Sequence, residues 1–131
     1  MARKKRRVAV DLTKNYPRPG WERLGGYPWL PRSIDKCRAT IIEKLGDYIF
    51  PCPIDWELFA ELNVTPIEFL HAVEASDTDE EVLEALGLPV EQKDPAVERW
   101  AKEFLENRHD SLKRQAEEEG RIWNEAYSHS V

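Results

Sequence analysis

Arg32 and Lys36 stand one helical turn apart, just after the loop Gly25-Gly26-Tyr27, and their types and spacing suit the recognition of an anion. Two consecutive glycines can turn successive backbone N–H groups toward one point, and a helix that opens at Pro31 aims its positive end the same way. An Arg in the first turn and a Lys on the same face then add charged donors for a phosphate or a carboxylate. The same residues also have a purely structural reading. The glycines form a turn, Tyr27 and Leu30 plug a core, and Asp35 pairs with Arg38, which falls inside an apolar stripe and needs a counter-charge there. No Gly-x-x-x-x-Gly-Lys loop, the stronger phosphate-cradling signal, occurs in the chain.

A second constellation is the basic arm Arg3, Lys4, Lys5, Arg6 and Arg7. Its cations can neutralise phosphates, and Tyr16, Trp21, Tyr27 and Trp29 offer faces on which bases stack. Residues 1–38 hold eleven basic against three acidic residues, a net +8, while the rest of the chain carries −14, for a total of −6. Such asymmetry favours an anionic partner for the front, yet the acidic remainder would repel a polyanion and the aromatics serve equally well as core. No recognition helix or RNA-binding fingerprint is present. Nucleic-acid or ribosome association through residues 3–7 is thus the alternative to binding an anionic group or a protein partner at the glycine loop.

Catalytic signals are sparse. His71, His109 and His129 fall on separate elements without zinc-ligand spacing. Cys37 lies on an apolar stripe and reads as packing. Cys52, between two prolines, reads as accessible but has no His or Asn beside it in sequence. Asp77, Asp79, Glu80, Glu81 and Glu84 fit helix capping and a solvated face, and they lack the central Gly of an EF-hand loop. The expectation is a non-enzymatic binding module with no metal and no cofactor. A small-molecule-binding domain or enzyme is the second alternative, to be recognised by a concave pocket and fast labelling of Cys52.

Helices must position these groups. Prolines and glycines across residues 15–31 forbid a long helix there, but six large apolar residues in the same stretch predict that it wraps onto a core. A first helix runs from Pro31 to near Gly46, with Ile34, Cys37, Ile41 and Leu45 as its stripe. DYIFPCP reads as an extended connection, and a second helix spans about Asp55–Leu62 with Trp56, Phe59 and Leu62 inward. Thr65-Pro66-Ile67-Glu68 and Thr78-Asp79-Glu80-Glu81 are capping boxes that open helices three and four, and Gly87 closes the latter. Ile67 and Leu70, with Val73 or Phe69, form the inner face of helix three. Asp94-Pro95 starts a fifth and longest helix, whose stripe runs from Val97 through Leu112 to Ala116. Ile122, Trp123, Ala126 and Tyr127 then make an apolar patch that docks on its own core or serves a homodimer through Trp123 and Tyr127. Four or five helices with no convincing strand pair define a compact all-α bundle, organised as an arm (1–10), a helical domain (11–107) and a C-terminal helical extension (108–131).

A chain of 131 residues, 41% hydrophobic and 34% charged with mean hydropathy −0.64, can support one core without disulfides or metal. No run approaches the roughly 18 apolar residues of a membrane span. The absence of an export-type leader and the presence of only two cysteines fit a reducing cytoplasm.

Residues 24–38, LGGYPWLPRSIDKCR, resemble a family of small bacterial proteins known only as a domain of unknown function, whose pattern pairs a Leu-Gly-Gly-Tyr loop with Leu-Pro-Arg and Ile-Asp-Lys. In this sequence those are Leu24, Gly25, Gly26 and Tyr27, then Leu30, Pro31 and Arg32, then Ile34, Asp35, Lys36 and Arg38. DLTKNYPRPGWERL before it, residues 63–86 and Glu98-Arg99-Trp100 extend the resemblance over about residues 11–107. It implies no established activity.

Overall fold

Leu30 to Ala39, ten consecutive residues of the first helix, are all buried, so this helix has neighbours on every side. A computed structural model describes residues 9–125. Among them six helices follow in order: α1 (Leu30–Ile41), α2 (Pro53–Leu62), α3 (Pro66–Glu74), α4 (Asp79–Ala85), α5 (Pro95–Asn107) and α6 (His109–Glu118). The fold is predominantly helical, as the sequence indicates. Trp29, Leu30, Ile34 and Cys37 form the centre, covered by Leu58 and Phe59 of α2, Phe69 and Val73 of α3, Val82 and Leu83 of α4, Phe104 and Leu105 of α5, and Leu112 of α6. Because α1 also carries Arg32, Asp35, Lys36 and Arg38, its burial forces each of these charges to find a partner inside the protein.

The helix starts follow their local chemistry. Thr65 accepts the Glu68 N–H at 3.1 Å while Glu68 accepts the Thr65 N–H at 2.9 Å, and Thr78 with Glu81 repeats the arrangement. Asp94 accepts the Ala96 N–H at 2.9 Å. Each cap satisfies amides that have no partner within the helix.

Other elements differ from expectation. α2 opens at Pro53 instead of about Asp55, because Pro53 fills the first helical position and the Asp55 carboxylate reaches back to accept the Cys52 N–H at 2.8 Å. α1 stops at Ile41, well before Gly46: Glu43 takes a left-handed φ of 58° and the Lys44 N–H returns to the Ala39 carbonyl. The expected fifth helix divides at Arg108 (φ −106°, ψ 14°), although the stripe continues across the break, with Leu112 and Ala116 buried on α6. Trp56 and Ile67, expected inward, are 54% and 66% exposed. The rings of Phe59 and Phe69, 4.6 Å apart, fill the contact between α2 and α3 instead.

After α6 the described residues form no regular helix through Asn124, and Ile122 is exposed. Trp123 docks on its own chain, edge-on to Trp21 at 5.7 Å and to His109 at 5.4 Å. Tyr127 and Ala126 lie outside the described residues, as do Arg3, Lys4, Lys5, Arg6 and Arg7.

Gly25 and Gly26 join two short strands, β1 (Arg23–Leu24) and β2 (Tyr27–Pro28), which pair antiparallel with Leu24 opposite Tyr27. Both glycines have left-handed φ, 57° and 87°, the requirement of a two-residue hairpin turn that follows the strand twist. The loop is also tightly covered. A Cβ on Gly25 would lie 2.9 Å from a Leu83 methyl and 3.2 Å from the Pro89 carbonyl oxygen. Gly25→Ala is therefore expected to lower the unfolding free energy by about 2–4 kcal/mol, from the left-handed conformation and overpacking together. Urea unfolding at constant pH measures it, and a change within about 0.5 kcal/mol, the range of an ordinary surface substitution, contradicts the described packing.

Candidate functional site

Burial sorts the charged residues of α1 onto two faces. Asp35 takes both Arg18 Nε and Nη2 at 3.0 Å, Arg18 Nη1 reaches Asp79 at 2.7 Å, and Arg38 approaches Asp79 at 3.4 Å. This network ties the wrapped N-terminal segment and α4 to α1. Arg32 and Lys36, at i and i+4, share the other face.

Lys36 Nζ donates to Asp55 Oδ2 at 2.7 Å and lies 3.3 Å from Cys52 Sγ. Asp55 is fully buried, and its Oδ1 accepts the Trp29 indole N–H at 2.8 Å and the Ser33 hydroxyl at 2.5 Å. With the Cys52 N–H, this carboxylate collects four donors. Burial alone would raise its pKa, but the Lys36 charge, Ser33 and the Cys52 amide outweigh that and hold it below the usual carboxylate range. Trp29 itself is held in the left-handed region (φ 74°) at the residue before α1, a conformation that the surrounding packing and the indole bond must sustain.

One turn earlier, Arg32 forks onto Glu119, Nη1 to Oε1 at 3.0 Å and Nη2 to Oε2 at 2.7 Å, and Nη1 also donates to the Arg18 carbonyl at 3.2 Å. The Tyr48 hydroxyl donates to Glu119 Oε2 at 2.9 Å, and Arg121 completes the set while donating to the Pro17 carbonyl at 2.6 Å. Burial pushes Glu119 upward; the bonds and charge of Arg32, then Tyr48 and Arg121, more than reverse this. The Tyr48 hydroxyl is driven well above its ordinary value by burial and then by Glu119. Arg32 and Lys36 both lie over the Trp29 ring, the guanidinium carbon 5.3 Å and the ammonium 5.8 Å from its centroid.

These two clusters floor one cleft of about 840 Å³, lined by Trp29, Arg32, Lys36, Tyr48, Cys52 and Glu119, with residues 12–16 at one rim and Gln115 in the α6 wall. Two of its polar atoms, Arg32 Nε and Gln115 Oε1, are buried without a hydrogen-bond partner among the described residues. The lining thus combines two cations, each paired with a carboxylate, one buried donor and one buried acceptor left over, and a thiol.

The structure brings Arg32 and Lys36 together but sets the glycine loop apart from them. Gly25 and Gly26 pack on Leu83, Pro89 and Gln92, and the Gly25 carbonyl accepts a bond from Gln92 at 3.3 Å. Tyr27 is buried edge-on to Trp100, 5.8 Å away. The loop does not line the cleft. Asp55, Tyr48 and Glu119 are the participants that sequence reasoning missed. For Asp55 a signal existed, since Pro at the first helical position and Asp at the third mark a helix start. Glu119 sits in a polar run with nothing to link it to Arg32, 87 residues away.

Among the described residues, no group of three or more His, Cys, Asp or Glu side chains is placed to hold a metal ion, and no helix is long and apolar enough to cross a membrane. No curated protein matches the chain in a sequence comparison. A family model for a domain of unknown function (DUF5069) matches residues 14–130, from the rim of the cleft through the segment that carries Glu119 and Arg121, and the chain belongs to that family.

Proposed function

We propose that the protein is a binding module that takes the anionic group of a small molecule into the cleft over Arg32 and Lys36. The observation that carries this reading is the unpartnered Arg32 Nε, on a residue only 3% exposed that lines the cleft together with Lys36. A buried donor without an acceptor costs about 1–3 kcal/mol, and a carboxylate or phosphate oxygen relieves that cost. Tyr48 and Ile49 supply apolar surface for the body of such a ligand. The glycine loop is support for the helices in this reading. The free thiols Cys37 and Cys52 accord with a reducing cytoplasm.

Amide and indole NMR spectra recorded during titration with malonate, inorganic phosphate and neutral malonamide test the proposal. The two anions are expected to give saturable shifts at the Trp29 indole and at residues 46–52, and malonamide none. Shifts confined to Gly25–Tyr27, or none that saturate, overturn it.

A further inference from the structure

We propose that Cys52 is a site of covalent modification, a thiol in the cleft that exchanges with small anionic disulfides. The choice of an anionic reagent rests on the anion reading above; the reactivity of the thiol does not. Cys52 lines the cleft and is only half-buried, which leaves the residue open in part to a small molecule that enters. Lys36 Nζ stands 3.3 Å from that sulfur and cannot swing away, because Asp55 fixes the ammonium at 2.7 Å. Cys52 is also the residue immediately before α2, where helix amides point outward with positive partial charge. The Lys36 charge is shared with the Asp55 carboxylate, so what favours the sulfur is the Lys36 N–H directed at it together with the helix amides, features found beside reactive cysteines.

A second observation points to a ligand independently of the thiol. Arg32 lines the same cleft, is almost wholly buried, and leaves its Nε without an acceptor. A carboxylate on the incoming disulfide supplies that acceptor and orients the S–S bond within the cleft. Cys37 is an internal contrast in the same chain: it is fully buried in the core, and that burial pushes its thiol up to about 12.

The step balances without any further reagent. Cys52 Sγ bonds to the nearer sulfur of the disulfide, the S–S bond breaks, and the outer sulfur leaves with the electron pair. Cys52 reacts as the thiolate, its proton passing to water, while Lys36 stays an ammonium that donates to the attacking sulfur, and the departing sulfur takes its proton from water. Cys52 is oxidised to a mixed disulfide, and the leaving half is reduced to a thiol.

The test compares two chromogenic disulfides, dianionic dithiobis(nitrobenzoate) and neutral dithiodipyridine, on the native chain and on the same chain unfolded in urea. In the native protein one thiol is expected to react at least about tenfold faster, per thiol, than in the unfolded chain with either reagent. Peptide mass analysis places it at Cys52, and Cys52→Ser abolishes the fast phase. The anionic reagent gains more than the neutral one, and added salt removes that extra gain alone. A native rate no faster than the unfolded rate for dithiodipyridine overturns the Cys52 proposal. A fast rate with no preference for the anionic reagent leaves the reactive thiol standing and removes the anion reading.

Discussion

Asp55→Asn is expected to lower the unfolding free energy by about 3–5 kcal/mol, the range for removing one member of a buried ion pair. The substitution preserves size and one acceptor oxygen, so little is lost in packing. What it removes is the charge opposite Lys36, and its NH2 sets a donor against donors on one side, either against Lys36 and the Cys52 N–H or against Trp29 and Ser33. Lys36→Met is expected to be costly for the complementary reason, since the Asp55 carboxylate stays buried with only neutral donors. The double substitution decides whether the pair acts as a unit. Its loss should fall short of the sum of the single losses by more than about 1 kcal/mol, because each single variant leaves a charge uncompensated and the double leaves none. Urea unfolding followed by tryptophan fluorescence and far-ultraviolet circular dichroism gives all three values, and additive losses contradict the described pairing.

Glu119→Ala is expected to cost about 2–4 kcal/mol, because the Arg32 fork, Tyr48 and Arg121 lose one shared acceptor. The same carboxylates make the fold acid-sensitive in a defined window. Asp55 and Glu119 both titrate lower in the folded chain than in the unfolded one. Their contribution is therefore complete above the unfolded carboxylate range, about pH 4, and is lost as the pH falls through the folded values beneath it. His109 acts in the opposite sense. Asp110 and then Glu125 raise its pKa, so its small contribution is present at low pH and fades as the pH climbs through the folded value. Unfolding measured between pH 7 and pH 3 is expected to show a steep loss below about pH 4, with a shallower slope in Glu119→Ala. Equal slopes in the two proteins would show that Glu119 is not the group being titrated.

Helix starts were legible where the cap and its partner lie within one turn. Thr65 with Glu68, Thr78 with Glu81, and Asp94 before Pro95 carry their own reasons in three or four residues. Helix faces were less secure, since α3 spans nine residues and a small error of phase puts Ile67 inside in place of Phe69. The need of Arg38 for a counter-charge could be read from its place in an apolar stripe. Its partner Asp79 could not, because that pairing depends on how α4 crosses α1. Arg32 and Lys36 read as donors for an outside anion, and their internal partners Glu119 and Asp55 went unread, because the sequence cannot show that α1 is enclosed on all sides. Their direction toward one common face was readable from the i, i+4 spacing; the cleft there was not, since its floor and walls come from residues 12 to 119.

Arg108 has an effect well beyond its own position. Without the interruption there, residues 95–118 would form one rod of roughly 36 Å. Instead α6 is pinned separately, by Arg108 to Glu57 at its start and by Glu119 to Arg32 at its finish. One residue added at the junction would rotate everything after it by about 100°, swinging Gln115 and Glu119 out of the cleft wall. The chamber's shape is thus governed by the number of residues between Phe104 and Leu112, so relatives that differ only in that spacing would enclose differently shaped spaces with the same floor.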